Sequence, residues 1–235
     1  MPPTPSAGAA RFVWGKEELW LLPQRAVWVA GQSLLLIADL HLGKAETFQA
    51  HGIPLPSDGD AGTLNTLLDL ARSWQPEQVL VLGDLIHSRL GLTAELRQKL
   101  EALPELLGAP LRLVGGNHER GSWIANLPAE PSLGLGQLWL SHAPEPRAGL
   151  LNLCGHRHPV ALLGSGGERL RLPCFAFNQQ LDQLTLPSFG LLTGGHPCDP
   201  HEKVWLVAEG TVLDWGRQAS PINRRRPGPA PRRRG

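Results

Sequence analysis

The stretch "LLLIADLHLGKAE", residues 34–46, joins four apolar residues, Leu34 to Ile37, to Asp39 and His41. A continuous apolar run of that length fits a strand buried on both faces, as in a parallel sheet covered by other layers. Its polar end admits two readings. Either the strand reaches the surface there, or Asp39 and His41 are two ligands of one metal ion. The pattern recurs along the chain. "QVLVLGD" ends in Gly83-Asp84, and "PLRLVGG" runs into Gly116-Asn117-His118-Glu119. "QLWLSH" ends in Ser141-His142, and "LLNLCGH" runs into Gly155-His156-Arg157-His158. Apolar strands that all end in carboxylate, amide or imidazole groups favour the metal reading.

The segments between the first three of these strands have helical periodicity. Leu64, Leu67, Leu68 and Ala71 predict a helix over 60–74, stopped by Pro76. Thr93 predicts the N-cap of a helix through Leu106, with Leu96, Leu100 and Leu103 on one face. Upstream, "RFVW", "LWLLP" and "AVWVA" read as short strands broken at Gly15, Pro23 and Gly31. Strand–helix alternation is the grammar of an α/β unit with parallel pairing. Downstream, "VALLG", "ERLRLPCFAF", "LDQLTLPSF", "KVWLVAEG" and "TVLDW" are strands separated by turns. The expectation is an α/β fold of two packed sheets with helices outside.

Composition narrows the class. The chain has 235 residues, 42% hydrophobic and 18% charged, which suits a globular protein with a core. No apolar run approaches the ~18 residues of a membrane span, and the N-terminus lacks the pattern of a signal peptide. Cys154, Cys174 and Cys198 are odd in number and widely spaced, with no CxxC pair. That fits a reducing, cytoplasmic setting rather than a disulfide framework or a zinc ribbon. The net charge of +1 is uneven: residues 222–235 hold six Arg and no acid, leaving 16 basic against 21 acidic residues, or −5, elsewhere. The expected organisation is a flexible N-terminus over 1–10, one domain over 11–221, and a disordered basic tail over 222–235. Such a tail is either a nucleic-acid tether or a solubilising end.

Carboxyl ends of parallel strands share one rim, where α/β proteins bind ligands. Carboxylates, imidazoles and one amide oxygen gathered there suit two divalent ions, with Mn²⁺, Fe²⁺, Zn²⁺ and Co²⁺ all admitted. On extended backbone, Asp39 and His41 would share a face, as would His156 and His158. Asp84, with two oxygens, could bridge two ions. Ions ~3.5–4 Å apart clamp a phosphate and activate water between them. His118 is placed to protonate a leaving alkoxide, and Glu119 to orient His118.

In this order, D-x-H, GD, GNH-E, H and GH-x-H resemble the calcineurin-like metallophosphoesterase superfamily. The resemblance implies a four-layer α/β/β/α sandwich of two mixed sheets flanked by helices. It implies Asp39, His41 and His158 on one metal, Asn117, His142 and His156 on the other, and Asp84 on both. His118 would be the catalytic histidine that binds no metal. "DLHLGKAETFQAHGIPLP", "LGDLIHSR", "GNHER", "GHRHP" and "LPSFGLLTGG" are similar to the DNA-ligase-associated metallophosphoesterases (PdeM). That likeness implies Mn²⁺ chemistry on DNA, in repair, in association with a DNA ligase, a helicase and an exonuclease. Two departures, Ala143 for a common Glu and Glu119 for a common Asp, remove no ligand. A small-molecule phosphodiesterase or phosphomonoesterase would use the same centre, and the acidic body favours it. A metalated, non-catalytic scaffold is the third class.

Lys44, His87 and Arg120 are candidate phosphate contacts, with solvated or packed roles equally consistent. His51, His196 and His201 read as loop histidines, Arg157 as pointing away from the metals, Cys154 as core, and the Trp residues, Trp123 included, as structural. An exposed sheet edge would allow a homo-oligomer.

Overall fold

The computed structural model describes residues 7–56, 58–119, 127–164 and 169–217. Arg120, Trp123 and the basic tail lie outside them. Two mixed sheets and three helices make up the fold. The first sheet runs in chain order: β1 (Ala10–Trp14), β2 (Glu17–Leu21), β3 (Val27–Val29), β4 (Leu34–Ile37), β5 (Gln78–Leu82), β6 (Leu111–Val114) and β7 (Ala129–Glu130). Its first four strands pair antiparallel and its last four parallel. The second sheet holds β8 (Ser132–Leu135), β9 (Leu138–Ser141), β10 (Leu151–Cys154), β11 (Pro159–Leu163), β12 (Leu170–Asn178), β13 (Gln183–Thr185), β14 (His196–Pro197), β15 (Lys203–Ala208) and β16 (Thr211–Arg217). Within it, β9, β10 and β13 lie parallel side by side.

The double-sided burial of β4 is explained by what covers each face. Leu34 and Leu36 join the core between the sheets, with Leu80, Leu153, Phe175 and Trp205. Leu35 and Ile37 face the other way, into a core shared with helix residues. Those helices are α2 (Gly59–Trp74) and α3 (Ala94–Leu107), preceded in the chain by the short α1 (Lys44–Ala50). Leu67, Leu70 and Trp74 of α2 and Leu96, Leu100 and Leu103 of α3 supply the stripe, each such side chain contributing about 1.5–3 kcal/mol on burial. Thr93 caps α3 as expected, its side chain accepting the Leu96 N–H at 3.1 Å. On the outer face of the second sheet, the described cluster of Ala161, Cys174, Ala176, Cys198, Val204 and Leu206 contains no helical residue. Cys198, just after β14, packs there instead.

The N-terminal stretch is tied down before residue 11: β1 begins at Ala10, and the Gly8 carbonyl accepts the Val212 N–H at 2.7 Å. Among the described residues no helix is long and apolar enough to cross a membrane, and the three cysteines are buried free thiols.

Candidate metal centre

The carboxyl ends of β4, β5 and β6 meet those of β9 and β10, and the polar residues beyond each end converge. The backbone knits this rim together. Asp39 N–H donates to the Gly83 carbonyl at 3.1 Å, His41 N–H to Asp84 at 2.9 Å, and Gly155 N–H to His142 at 3.0 Å. Across the sheets, His156 N–H reaches the Asp39 carboxylate at 2.9 Å. Two glycines permit the approach. A Cβ at Gly83 would collide with the His142 ring, and one at Gly155 with the Asp39 carboxylate.

The side chains do not converge for the reason the spacing suggested. Asp39, His41, Asp84, His156 and His158 are not on extended backbone. All five have positive φ, between 46° and 67°, in the left-handed region that non-glycine residues seldom occupy. Each pair therefore points into one pocket through turns past the strand ends, not through strand alternation. Strained backbone of this kind costs about 1–3 kcal/mol per residue and persists where the surroundings over-determine it. Here the rim hydrogen bonds supply that constraint.

Two groups of donors form around Asp84. In the first, His142 Nδ1 faces the Leu82 carbonyl at 3.0 Å. A carbonyl only accepts, so Nδ1 carries the proton and Nε2 presents a lone pair. That Nε2 lies 3.0 Å from Asn117 Oδ1, 3.0 Å from His156 Nδ1 and 3.5 Å from Asp84 Oδ2. In the second, His158 Nδ1 faces the Gly194 carbonyl at 3.2 Å, so its Nε2 also presents a lone pair. It stands 3.3 Å from His41 Nε2 and 3.4 Å from Asp39 Oδ1. His41 Nε2 is 3.8 Å from Asp84 Oδ2, which both groups therefore reach. Electron-rich atoms crowded this way, with His142 and His158 each oriented by a backbone carbonyl, fit divalent cations. Asp39/His41/His158 and Asp84/His142/His156 are each close enough to hold an ion, and so are His41/His87/His118.

Burial keeps the His41, His87 and His156 rings neutral and so able to ligate. It lowers His41 to about 2, with the neighbouring His158, His118 and His87 adding to the effect. It lowers His87 to about 4, and pushes His156 down as well. The linkage has a definite sign. Between the ordinary value of 6.5 and about 2, the unfolded chain binds the His41 proton and the folded chain does not. Stability is therefore complete above pH 6.5 and falls as the pH drops. For the chelated protein we expect the move from pH 6.5 to 5 to cost about 2 kcal/mol from His41 alone. Urea unfolding at the two pH values measures it, and a flat profile would contradict neutral burial.

Glu119 requires a correction. It was expected to orient His118, but its carboxylate is engaged elsewhere. Buried and pushed above the usual carboxylate range by that burial, it accepts three backbone N–H groups. These come from Gly116 at 2.7 Å, Asp84 at 3.0 Å and Ile86 at 3.2 Å. Glu119 thus buckles the turn after β5 to the turn after β6. The His118 ring is oriented by the His87 carbonyl, which accepts a hydrogen bond from its Nδ1–H. Glu119→Ala would strand three N–H donors, and a loss of about 3 kcal/mol or more is expected. A loss below about 1 kcal/mol in urea unfolding would show that the buckle carries little.

The other expected contacts divide. Lys44, at the start of α1, donates to the Leu192 carbonyl at 2.8 Å, and burial lowers its pKa. His87 lines the site, its ring stacked on His118 at 5.0 Å and its Nδ1 3.4 Å from His41 Nδ1. Arg120 lies outside the described residues. Arg157 points away from the centre, to Glu202 at 2.7 Å. Ser188 was not anticipated: its hydroxyl donates to the Asp39 carbonyl at 2.7 Å, across 149 positions of chain. "LPSFG" marked the segment, but only the folded chain brings it to Asp39.

Comparison with known proteins agrees with this geometry. Residues 33–208 match the calcineurin-like phosphoesterase family. The nuclease MPE of Pseudomonas putida is 30% identical, with a TM-score of 0.71 over 87% of this chain and 98% of that one. Yfce, a phosphoesterase from E. coli, is 17% identical with a TM-score of 0.40, over 75% and 88% of the two chains. No curated protein sequence matches. The family match spans β4 to β15, and thus every residue of both donor groups: the chain belongs to the calcineurin-like phosphoesterases and is a phosphoesterase-family hydrolase.

Proposed function

We propose that the chain is a dinuclear-metal phosphodiesterase that cleaves DNA. The observation that carries this is the approach of two donor groups to one oxygen, Asp84 Oδ2. In this reading Asp39, His41 and His158 hold one ion, Asn117, His142 and His156 the other, and Asp84 bridges them. Mn²⁺ is the expected metal, while the donors also admit Fe²⁺, Zn²⁺ and Co²⁺. Ions so held would clamp the phosphodiester oxygens and activate the attacking water.

The residues do the rest. A cavity of about 550 Å³ opens beside the donor group of His142 and His156, lined by Gly115 to Asn117, His142 to Glu145 and His156. It gives one nucleotide unit of a strand access to the centre. His118 Nε2 lies 3.7 Å from Asp84 Oδ2 at the edge of the centre, where a leaving oxygen would emerge. With Nδ1–H donating to the His87 carbonyl, a doubly protonated His118 would deliver its Nε2 proton to that oxygen. The DNA substrate rests on the likeness to the P. putida nuclease, and on the motifs shared with DNA-ligase-associated metallophosphoesterases. Those motifs also support a role in repair, alongside a ligase, a helicase and an exonuclease.

Supercoiled plasmid incubated with the Mn²⁺-loaded protein should be nicked. Intact plasmid together with cleaved cyclic nucleotides would reassign the substrate to small molecules. No cleavage of DNA, cyclic nucleotides or bis-p-nitrophenyl phosphate under any of the four metals would make the protein a scaffold.

A further inference from the structure

A second cavity, of about 330 Å³, lies far from the metal centre and has a different character. It is lined by Arg11, Phe12, Val13, Phe177, Gln179, Lys203, Trp205 and Arg217, none of which belongs to a metal-capable group. Its place follows from strand register. Phe12 lies opposite Leu19, Leu19 opposite Val29, and Val29 opposite Leu34, the first residue of β4. Asp39 lies past the other end of β4. The cavity is therefore displaced along the strands, and sideways by three strand spacings, about 14 Å.

The mouth forms where the free edges β1 and β16 close the end of the inter-sheet core. Its wall is aromatic: Phe12 meets Phe177 and Trp205 edge-on at 5.1 and 5.5 Å. Val13 is 54% exposed beside them. Its rim is cationic. Lys203 sits 4.6 Å over the Trp205 ring and pairs with Asp214 at 2.9 Å. Arg11 pairs with Glu18 at 3.0 Å. Among the described residues Arg217 bonds a neutral group, Gln179, at 3.0 Å and forms no ion pair.

We propose that this cavity is a secondary binding site for single-stranded nucleic acid, taking the phosphate and base of one nucleotide. Cations beside aromatic and aliphatic walls are how proteins hold single strands without reading sequence. A free anion would use the rim but not the wall. The volume admits one nucleotide and not a duplex. Elsewhere the body is acidic, −5 without residues 222–235, so this rim is a local exception that a polyanion would find. From Arg217 the sequence continues toward six further arginines. A strand held here would raise the effective concentration of the rest of that strand at the metal centre. The choice of ligand rests on the DNA-cleaving reading of the centre.

The test measures binding and cleavage separately, on the full chain. Anisotropy of a fluorescein-labelled oligothymidylate is followed in EDTA across a salt series, for wild type, Arg217→Glu, and the double variant Arg11→Gln/Arg217→Gln. The arginines after residue 217 are common to all three proteins. The double variant should bind on the order of ten-fold more weakly, with a salt slope reduced by about 0.7, the value for one lost phosphate contact. Bis-p-nitrophenyl phosphate turnover should be unchanged, since neither residue touches the centre. Equal affinity and equal slope in the three proteins would overturn the site. Weakened binding in a protein that never nicks plasmid would keep the site and refute the nuclease reading instead.

Discussion

Asp84→Ala is expected to empty both metal positions and to lower phosphodiester turnover by more than about 10³-fold. Every part of the centre depends on this carboxylate. Its Oδ2 lies within 3.5 Å of His142 Nε2, 3.7 Å of His118 Nε2 and 3.8 Å of His41 Nε2. Its Oδ1 accepts the His118 N–H at 3.1 Å and so places the backbone of His118. Removing it takes one donor from each ion position and leaves imidazole lone pairs facing one another without a counter-charge. Metal content by plasma mass spectrometry and turnover of bis-p-nitrophenyl phosphate read the two effects together. Asp84→Asn is the companion variant. It preserves shape and one acceptor oxygen but loses the charge, so the fold should survive while metal affinity falls. Two ions retained in Asp84→Ala would remove the bridging role.

The strands that build the rim were legible because burial on both faces leaves no polar residue to break the run. Leu34 to Ile37 and Val79 to Leu82 are read directly as interior strands, and their polar ends then stand out. The helices over 59–74 and 94–107 were legible by periodicity. Helix α1 was not, since seven residues starting after Gly43 carry too few apolar positions to show a period. The short strands β7, β8 and β14 were missed too; they owe their pairing to neighbours rather than to their own residues. For the site, ligand types and order could be read from the motifs, but not the geometry that aims them. The left-handed conformations of Asp39, His41, Asp84, His156 and His158 are imposed by hydrogen bonds from distant segments. Glu119 shows the same limit. An acid beside a candidate catalytic histidine invites a catalytic reading, and only the fold shows three backbone N–H groups claiming it. Ser188 is the converse, an unremarked hydroxyl that steadies Asp39.

His118→Ala separates catalysis from metal binding. If Nε2 protonates the leaving oxygen, the variant should keep two ions and lose about 10²- to 10⁴-fold in kcat on DNA. The loss should depend on the leaving group. A DNA alkoxide needs a proton to depart, whereas a nitrophenolate departs without one, so bis-p-nitrophenyl phosphate turnover should fall far less. A ligand would behave differently. His118 is also close enough to His41 and His87 to share an ion with them, and in that role its removal would cost metal and depress both substrates alike. The stacking of the ring on His87, rather than opposed to it, supports the proton-donor role. Comparison with Glu119→Ala excludes a general loosening of the turn. That variant should lose stability in urea, whereas His118→Ala, whose side chain is 30% exposed, should not. Equal losses on DNA and on the nitrophenyl diester, with metal intact, would assign His118 to binding the phosphate rather than to protonating the leaving group.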